Sequence, residues 1–181
     1  MSASRGPVTV IGVGNVLLRD DGVGVHVVRE LERLARRGEI VLPPGTRLVD
    51  GGTRGLDLLP QIAAAGAVLF VDAADSGSAP GAVAAIPADA LRRTRPGSVG
   101  PRAGVAGLLA TARLAGVLPP GVALVGVQPE SIEAGLELSN VVGAAIPAAV
   151  EAALAEVRRL ATAMARPAFV AGGQELAGVP A

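Results

Sequence analysis

Aspartates follow three apolar, strand-like runs of the sequence. Asp20 and Asp21 come after the first run, Asp50 ends the second, and Asp72 and Asp75 follow the third. Because the carboxyl ends of parallel strands share one edge of a sheet, we expect these carboxylates to converge there. Converging carboxylates repel one another unless a cation or a shared proton compensates. The spacing therefore predicts an acidic site that takes a positive partner.

Each aspartate also has an ordinary structural interpretation. Asp21 could interact with the positive end of a following helix. Asp50 precedes two glycines and Asp75 precedes Ser-Gly, and both patterns are typical of turns. Asp72 follows four apolar residues and precedes two alanines, which capping explains poorly. Asp72 is therefore the strongest functional candidate among them.

The elements that must position these residues alternate between strands and helices. Hydrophobic periodicity predicts strands at 8–13, 47–50, 67–71, 81–86 and 122–127 and helices at 22–37, 56–66, 103–115 and 141–165. Residues 81–86 follow the third strand so closely that we expect them to pair antiparallel with it at an edge. Pro147 suits the start of the last helix. This order predicts a three-layer α/β fold, with a twisted, mostly parallel sheet of about five strands, one antiparallel edge strand and helices on both faces.

The length of 181 residues suits one domain. We expect a flexible N-terminus at 1–7, a single α/β domain over 8–165 and a flexible tail over 166–181. The N-terminus lacks the pattern of a signal peptide, and the longest uncharged stretch has 16 residues, short of the roughly 20 that cross a bilayer. We therefore expect a cytoplasmic protein with no membrane partner.

Composition excludes several classes of function. Sixteen arginines balance sixteen acidic residues, and only two residues are aromatic, so nucleic acid is not expected as a partner. The chain has no Cys, which excludes thiol nucleophiles, Cys-ligated zinc and iron–sulfur clusters. It has no Lys, which excludes a phosphate-binding loop of the Walker type.

Two further features could suggest chemistry but fit other interpretations better. Gly12 and Gly14 begin a dinucleotide fingerprint, but Leu17 stands where its third glycine belongs. His26 lies five residues after Asp21, about 140° around an ideal helix, so it does not easily face the same ion. We therefore interpret His26 as a half-exposed packing residue.

Four segments, in order, resemble the motifs of the hydrogenase maturation peptidases. They are Gly-Val-Gly-Asn-Val-Leu-Leu-Arg-Asp-Asp-Gly-Val-Gly at 12–24, Asp-Gly-Gly-Thr-Arg-Gly-Leu-Asp-Leu-Leu at 50–59, Val-Asp-Ala-Ala-Asp at 71–75 and Val-Gly-Val-Gln-Pro-Glu-Ser at 125–131. The resemblance runs from about Val8 to Ala165.

The resemblance implies a cytoplasmic, metal-dependent endopeptidase of α/β fold. Such enzymes remove a C-terminal extension from the large-subunit precursor of a nickel–iron hydrogenase after nickel has been inserted. Asp21 and Asp72 match the family's metal-binding acids and would also be the catalytic residues, with nickel supplied by the substrate or bound by the protein. The peptide cleft would be formed by Asp50, Gly51, Gly52 and Thr53.

The sequence departs from the family at the third metal ligand. The family has a His where this chain has Arg102, or Pro101 if the gap is placed differently, and neither can ligate a metal. In one alternative, the site still holds an ion through Asp21, Asp72 and waters, or the precursor brings nickel with its own ligands, and cleavage proceeds. In the other, the guanidinium of Arg102 takes the cation position, leaving a noncatalytic homologue that binds or checks the precursor. Arg102 could also be a solvated loop residue.

Overall fold

A five-stranded mixed sheet forms the centre of the protein. In the computed structural model, which describes residues 6–87 and 105–165, the strand order is β2–β1–β3–β5–β4. The β1–β2, β1–β3 and β3–β5 pairs are parallel, and β4 pairs antiparallel with β5 at one edge. The strands are β1 (Val8–Val13), β2 (Arg47–Gly52), β3 (Ala67–Ala73), β4 (Val83–Pro87) and β5 (Gly121–Val127).

Helices cover both faces of the sheet, as the sequence predicts. The α-helices described are α1 (Val23–Arg36), α2 (Leu59–Ala63), α3 (Val105–Leu114) and α4 (Asn140–Ala165). Alternate residues of the central strands point to opposite faces. Leu69 and Val71 pack with α1 and α4, whereas Val68 and Phe70 pack with α2 and α3. The α/β fold with one antiparallel edge strand is thereby confirmed.

Several sequence predictions differ from the structure in detail. The edge strand β4 pairs with β5 and not with β3, because the parallel β5 occupies the position beside β3. The strand β3 continues to Ala73, so Asp72 lies within the strand and pairs with Gly126. Pro147 lies inside α4 and does not start it, since the helix already begins at Asn140 after a cap by the Ser139 hydroxyl.

The second predicted helix is shorter than its apolar pattern indicates. A 3-10 helix spans Gly55–Leu58 and leads into the five-residue α2. The buried side chains of Leu58 and Ile62 still anchor this segment on the sheet. The flexible N-terminus predicted at 1–7 and the flexible tail predicted at 166–181 lie outside the described part of the chain, except for residues 6 and 7.

Within the described residues, one helix has the length and apolar composition to cross a membrane, and it is α4. One side of this helix is buried against the sheet through Val150, Ala153, Val157 and Leu160. This packing is the usual arrangement of a core helix in an α/β domain.

Glycine at position 24 allows α1 to lie unusually close to the sheet. A Cβ placed on Gly24 would collide with the carbonyl oxygens of Val71 in β3 and Val13 in β1. These oxygens belong to a buried sheet that cannot shift freely. The contact fixes the start of α1 directly over the carboxyl ends of β1 and β3.

We predict that Gly24→Ala destabilises the protein by about 2 kcal/mol or more, because the added methyl group overpacks the helix–sheet contact. The matched control is Gly143→Ala in α4, where an added Cβ meets nothing within 4 Å. That change should be neutral or stabilise by up to about 1 kcal/mol through helix propensity. Urea unfolding of both variants measures the difference, and equal stabilities would contradict the proposed close contact.

Candidate functional site

The candidate site lies beyond the carboxyl ends of β1 and β3. The strand β1 leads into α1 on one face of the sheet, whereas the next α-helix described after β3 is α3 on the opposite face. Adjacent strands whose connections diverge in this way leave a crevice at the edge of a parallel sheet. Asp21 enters the crevice from a 3-10 helix at Arg19–Gly22, and Asp72 enters it from β3.

A tight turn carries Asp21 back over the end of β1. Gly14 has a φ of 127° and lies against the backbone carbonyl of Asp21, where a Cβ would not fit. The backbone N–H of Asn15 donates to Asp21 Oδ2 at 2.7 Å. The glycine and this hydrogen bond together hold the carboxylate of Asp21 near the sheet edge.

Asp72 is buried, and its environment opposes its charge. Burial raises the pKa of Asp72, and the negative charge of Asp21 raises it further, to about 7. Hydrogen bonds from the backbone N–H groups of Ala73 and Val105 act in the opposite direction. The structure therefore brings Asp21 and Asp72 close enough to interact electrostatically, as the sequence predicts. A proton or a cation between them would relieve the repulsion.

The described residues bring two acidic side chains, those of Asp21 and Asp72, to this site. Among residues 6–87 and 105–165, no group of three or more His, Cys, Asp or Glu side chains is arranged to hold a metal ion. Two carboxylates alone are a poor match for nickel, which favours nitrogen donors, but they suit a cation that carries other ligands. Arg102 lies outside the described residues; it stands three positions before Val105, whose N–H donates to Asp72.

Asp20 does not join this pair. Its side chain is fully buried and points toward the segment that follows β5. Asp20 Oδ1 accepts a hydrogen bond from the Ser139 N–H at 2.7 Å. Its Oδ2 accepts from the Ser139 hydroxyl and from the N–H groups of Glu130 and Ser131, at 2.9 to 3.0 Å. Asp20 thus ties the loop after β1 to the loop after β5.

The pKa of Asp20 reflects these contacts. Burial alone would raise it, but the hydrogen bonds from Ser131, Ser139 and Glu130 together bring it below 3.8. The carboxylate is therefore charged at neutral pH and fully satisfied by donors. Sequence reasoning grouped Asp20 with the converging carboxylates and missed this role. The partners lie more than 100 residues away in the chain, so no local signal could have revealed them.

The segment proposed to form the peptide cleft lies at the end of β2. Asp50 is exposed and accepts hydrogen bonds from the Arg29 guanidinium of α1 at 2.8 and 3.0 Å. The carbonyl of Gly52 accepts from the Gly14 N–H at 3.1 Å, which joins this segment to the turn after β1. Thr53 is exposed at the same edge. The role of these residues in peptide binding stays a prediction.

His26 occupies the half-buried position that the helical pattern predicts for it. Burial lowers its pKa, and the nearby Arg29 lowers it further, while Asp50 acts in the opposite direction. Its neighbours are thus the ion pair at the end of β2. This placement fits a packing residue better than a metal ligand.

The α/β fold with an acidic crevice at the carboxyl edge of its sheet places this chain among the open-sheet α/β proteins, which bind ligands at that edge. A family model described as hydrogenase maturation protease matches residues 25–156. The chain therefore belongs to the hydrogenase maturation protease family.

Individual relatives agree with this assignment. The chain is 35% identical over 153 residues to a hydrogenase 2 maturation protease of Escherichia coli K12, covering 83% of this chain and 90% of that protein. It is 37% identical over 158 residues to the hydrogenase expression/formation protein HupD of Rhodobacter capsulatus, covering 83% and 71%. Among solved structures, the hydrogenase maturating endopeptidase HybD of E. coli is similar with a TM-score of 0.69 and 33% identity, covering 84% of this chain and 93% of that one.

We predict that Asp20→Asn lowers the free energy of unfolding by about 3 kcal/mol or more at pH 7, because the amide turns a donor toward groups that themselves donate. Glu137→Gln, on the exposed part of the same loop, is the control and should have little effect. Urea unfolding at pH 7 measures both changes.

The pH dependence of this difference tests the charge of Asp20. A carboxylate whose pKa is lowered by folding stabilises the protein above its unfolded pKa, about 3.9, and loses that contribution as the pH falls through the folded value. The gap between wild type and Asp20→Asn should therefore be constant above about pH 5 and narrow below about pH 4. A gap that stays the same down to pH 2 would contradict the assignment.

Proposed function

We propose that this protein is a cytoplasmic endopeptidase that removes the C-terminal extension of a nickel–iron hydrogenase large-subunit precursor after nickel insertion. Membership of the family supports the reaction class, and the family motifs at 12–24, 50–59, 71–75 and 125–131 lie at or beside the crevice edge. The observation that carries the proposal is the repulsion between Asp21 and Asp72, which leaves a place for a cation. In this reaction, the cation would be the nickel ion that is already bound to the precursor.

In this proposal, nickel belongs to the substrate. Asp21 and Asp72 would contact it as two oxygen ligands, while the precursor supplies the remaining ligands. A metal at this position can polarise a carbonyl group or activate a water molecule for hydrolysis of a peptide bond. Because Asp72 is buried and Asp21 is held by Asn15, the pair is pre-positioned and needs little rearrangement to receive the ion.

The residues at the end of β2 would guide the extension peptide past the pair. Gly51, Gly52 and Thr53 lie at the sheet edge, next to the turn at Gly14. Asp50 would fix this segment through its ion pair with Arg29. Arg102 would contact the precursor from the residues that precede α3.

Incubation of the protein with its nickel-loaded precursor should yield a shortened large subunit, detected by mass spectrometry. Asp72→Ala should abolish this product, because one of the two cation ligands is lost. Glu32→Gln, an exposed change on α1, is the matched control and should process normally. Full processing by Asp72→Ala would contradict the proposal.

A second candidate function is a noncatalytic homologue that binds or checks the precursor. It is favoured by the lack of a third acidic or His ligand among the described residues and by the hydrogen bond that joins the start of α3 to Asp72. Arg102 precedes that start by three positions, and a guanidinium between Asp21 and Asp72 would satisfy both carboxylates. The protein would then bind the precursor without cleaving it.

Substitution of Arg102 separates the two functions. If Arg102 blocks the cation position, Arg102→Gln should bind Cd²⁺ or Ni²⁺ more tightly than wild type. Arg102→His adds the missing ligand and should bind the metal ion at least about tenfold more tightly than Arg102→Gln. The loss of an outer-shell partner alone lowers metal affinity by about tenfold, and a direct ligand should contribute at least as much. Isothermal titration calorimetry measures these affinities. Equal affinities of the His and Gln variants would show that position 102 does not face the pair.

A further inference from the structure

The side of α4 that faces away from the sheet is largely uncovered. Only 28% of the most apolar 18-residue stretch of this helix is buried, and Val150, Ala153 and Val157 pack that part against the sheet. On the opposite side, six exposed residues follow one another at spacings of three and four, which keeps them on one face of the helix. We call these residues the outer stripe: Ala144, Ala148, Glu151, Ala155, Arg158 and Thr162.

The outer stripe has the shape of a helix-packing surface. From 144 to 162 it covers about 27 Å of helix axis, at 1.5 Å per residue. Three of its six members are alanines, and a Cβ added to the neighbouring Gly143 would meet nothing within 4 Å. Short side chains of this kind allow a second helix to approach to about 8 Å between the two axes. Apolar surface that stays uncovered in this way is typical of a binding surface.

The stripe also carries two charges that the rest of the helix does not neutralise. Within residues 6–87 and 105–165, Glu151 and Arg158 form no ion pair. The other two charged residues of α4, Glu156 and Arg159, pair with each other at 2.7 Å. Glu151 and Arg158 are therefore available to a partner on this face.

The neighbouring helix α1 does not supply partners for these two charges. It packs beside α4, and its charged side chains form ion pairs of their own. These pairs are Arg29 with Asp50, Arg33 with Glu30 and Glu39, and Arg36 with Glu32. The charges of α1 are thus satisfied without α4.

The order of charges along the stripe is self-complementary. Glu151 and Arg158 lie seven residues apart, about two helical turns, and Ala155 lies between them. In a second copy of α4 packed antiparallel about a two-fold axis beside Ala155, Arg158 of the partner subunit lies opposite Glu151. The symmetry forms the same ion pair a second time. Two-fold dimers require this kind of pairing, in which one patch complements itself.

We propose that the outer stripe of α4 is a dimer interface, which binds a second copy of this chain through an antiparallel pair of α4 helices. This inference goes beyond the proposed function and does not depend on it. Because the stripe faces away from the sheet, the dimer leaves the acidic crevice at the sheet edge uncovered. One helix pair forms a small interface, of about 1,200 Å² or less in total, so we expect a reversible dimer with a Kd on the order of 10 µM.

Charge reversal tests the pairing of Glu151 with Arg158. Glu151→Arg and Arg158→Glu each place like charges opposite one another, so each variant alone should raise the dimer Kd about tenfold or more. A one-to-one mixture of the two variants restores both pairs of opposite charge and should dimerise with nearly the wild-type Kd. Sedimentation velocity of the full chain at low salt, from about 1 to 100 µM, measures these equilibria.

An uncharged variant tests the close approach of the two helices. Ala155→Gln places a longer side chain at the two-fold axis, which should separate the helices and raise the Kd about tenfold. The matched control is Glu133→Arg on the exposed loop after β5, which changes the net charge as Glu151→Arg does and should leave the Kd within about twofold of wild type. Urea unfolding verifies that each variant folds.

Several outcomes would overturn the dimer interface. They are a wild type that stays monomeric up to about 100 µM, a mixture of the two reversed variants that does not dimerise, an unchanged Kd for Ala155→Gln, or an equal loss of dimer in Glu133→Arg. Monomeric wild type that binds vesicles of phosphatidylcholine and phosphatidylglycerol would identify a membrane as the occupant of the stripe and also overturn the proposal. None of these measurements uses the precursor, so a failure of the proposed function leaves them unaffected.

Discussion

Repulsion between two carboxylates in a buried crevice is the constraint around which this structure is arranged. Asp72 lies within a strand that is buried on both faces, and its charge is opposed both by burial and by Asp21. A folded protein retains such an arrangement at a cost, since the charged pair weakens the native state as the pH rises toward neutrality. Perturbed acids of this kind are concentrated at functional sites. The surrounding loops hold the pair in place despite its repulsion.

Asp20 and Asp21 are adjacent in one short turn, but their environments act on their charges in opposite ways. Asp21 faces a neighbouring acid, whereas Asp20 is surrounded by donors and is stable as a charged group. The hydrogen bonds of Asp20 fix the turn that carries Asp21. They therefore help to hold Asp21 beside Asp72 despite the repulsion between those two carboxylates. The same contacts order the loop after β5 and expose its apolar side chains.

The sequence predicted the layers, the strand positions and the convergence of Asp21 and Asp72, because periodicity and strand order are local or follow from chain connectivity. It did not predict that β4 pairs with β5. That pairing follows from the position of β5 beside β3, which depends on packing across the whole sheet. The strand β3 runs past Asp72 because pairing with Gly126 continues the ladder regardless of polarity. The direction of Asp20 depends on residues 110 to 119 positions away. Long-range contacts of this kind leave no pattern in the local sequence.

The close approach of α1 to the sheet links the site to the rest of the domain. The 3-10 turn that bears Asp21 continues into α1 without a break, and Gly24 presses the first turn of the helix onto the carbonyl groups of β1 and β3. The turn, the helix and the two strands are consequently packed as one unit. A substitution on the outer side of α1 that tilted the helix would be transmitted to the crevice as a displaced carboxylate, even though it touched no residue of the site.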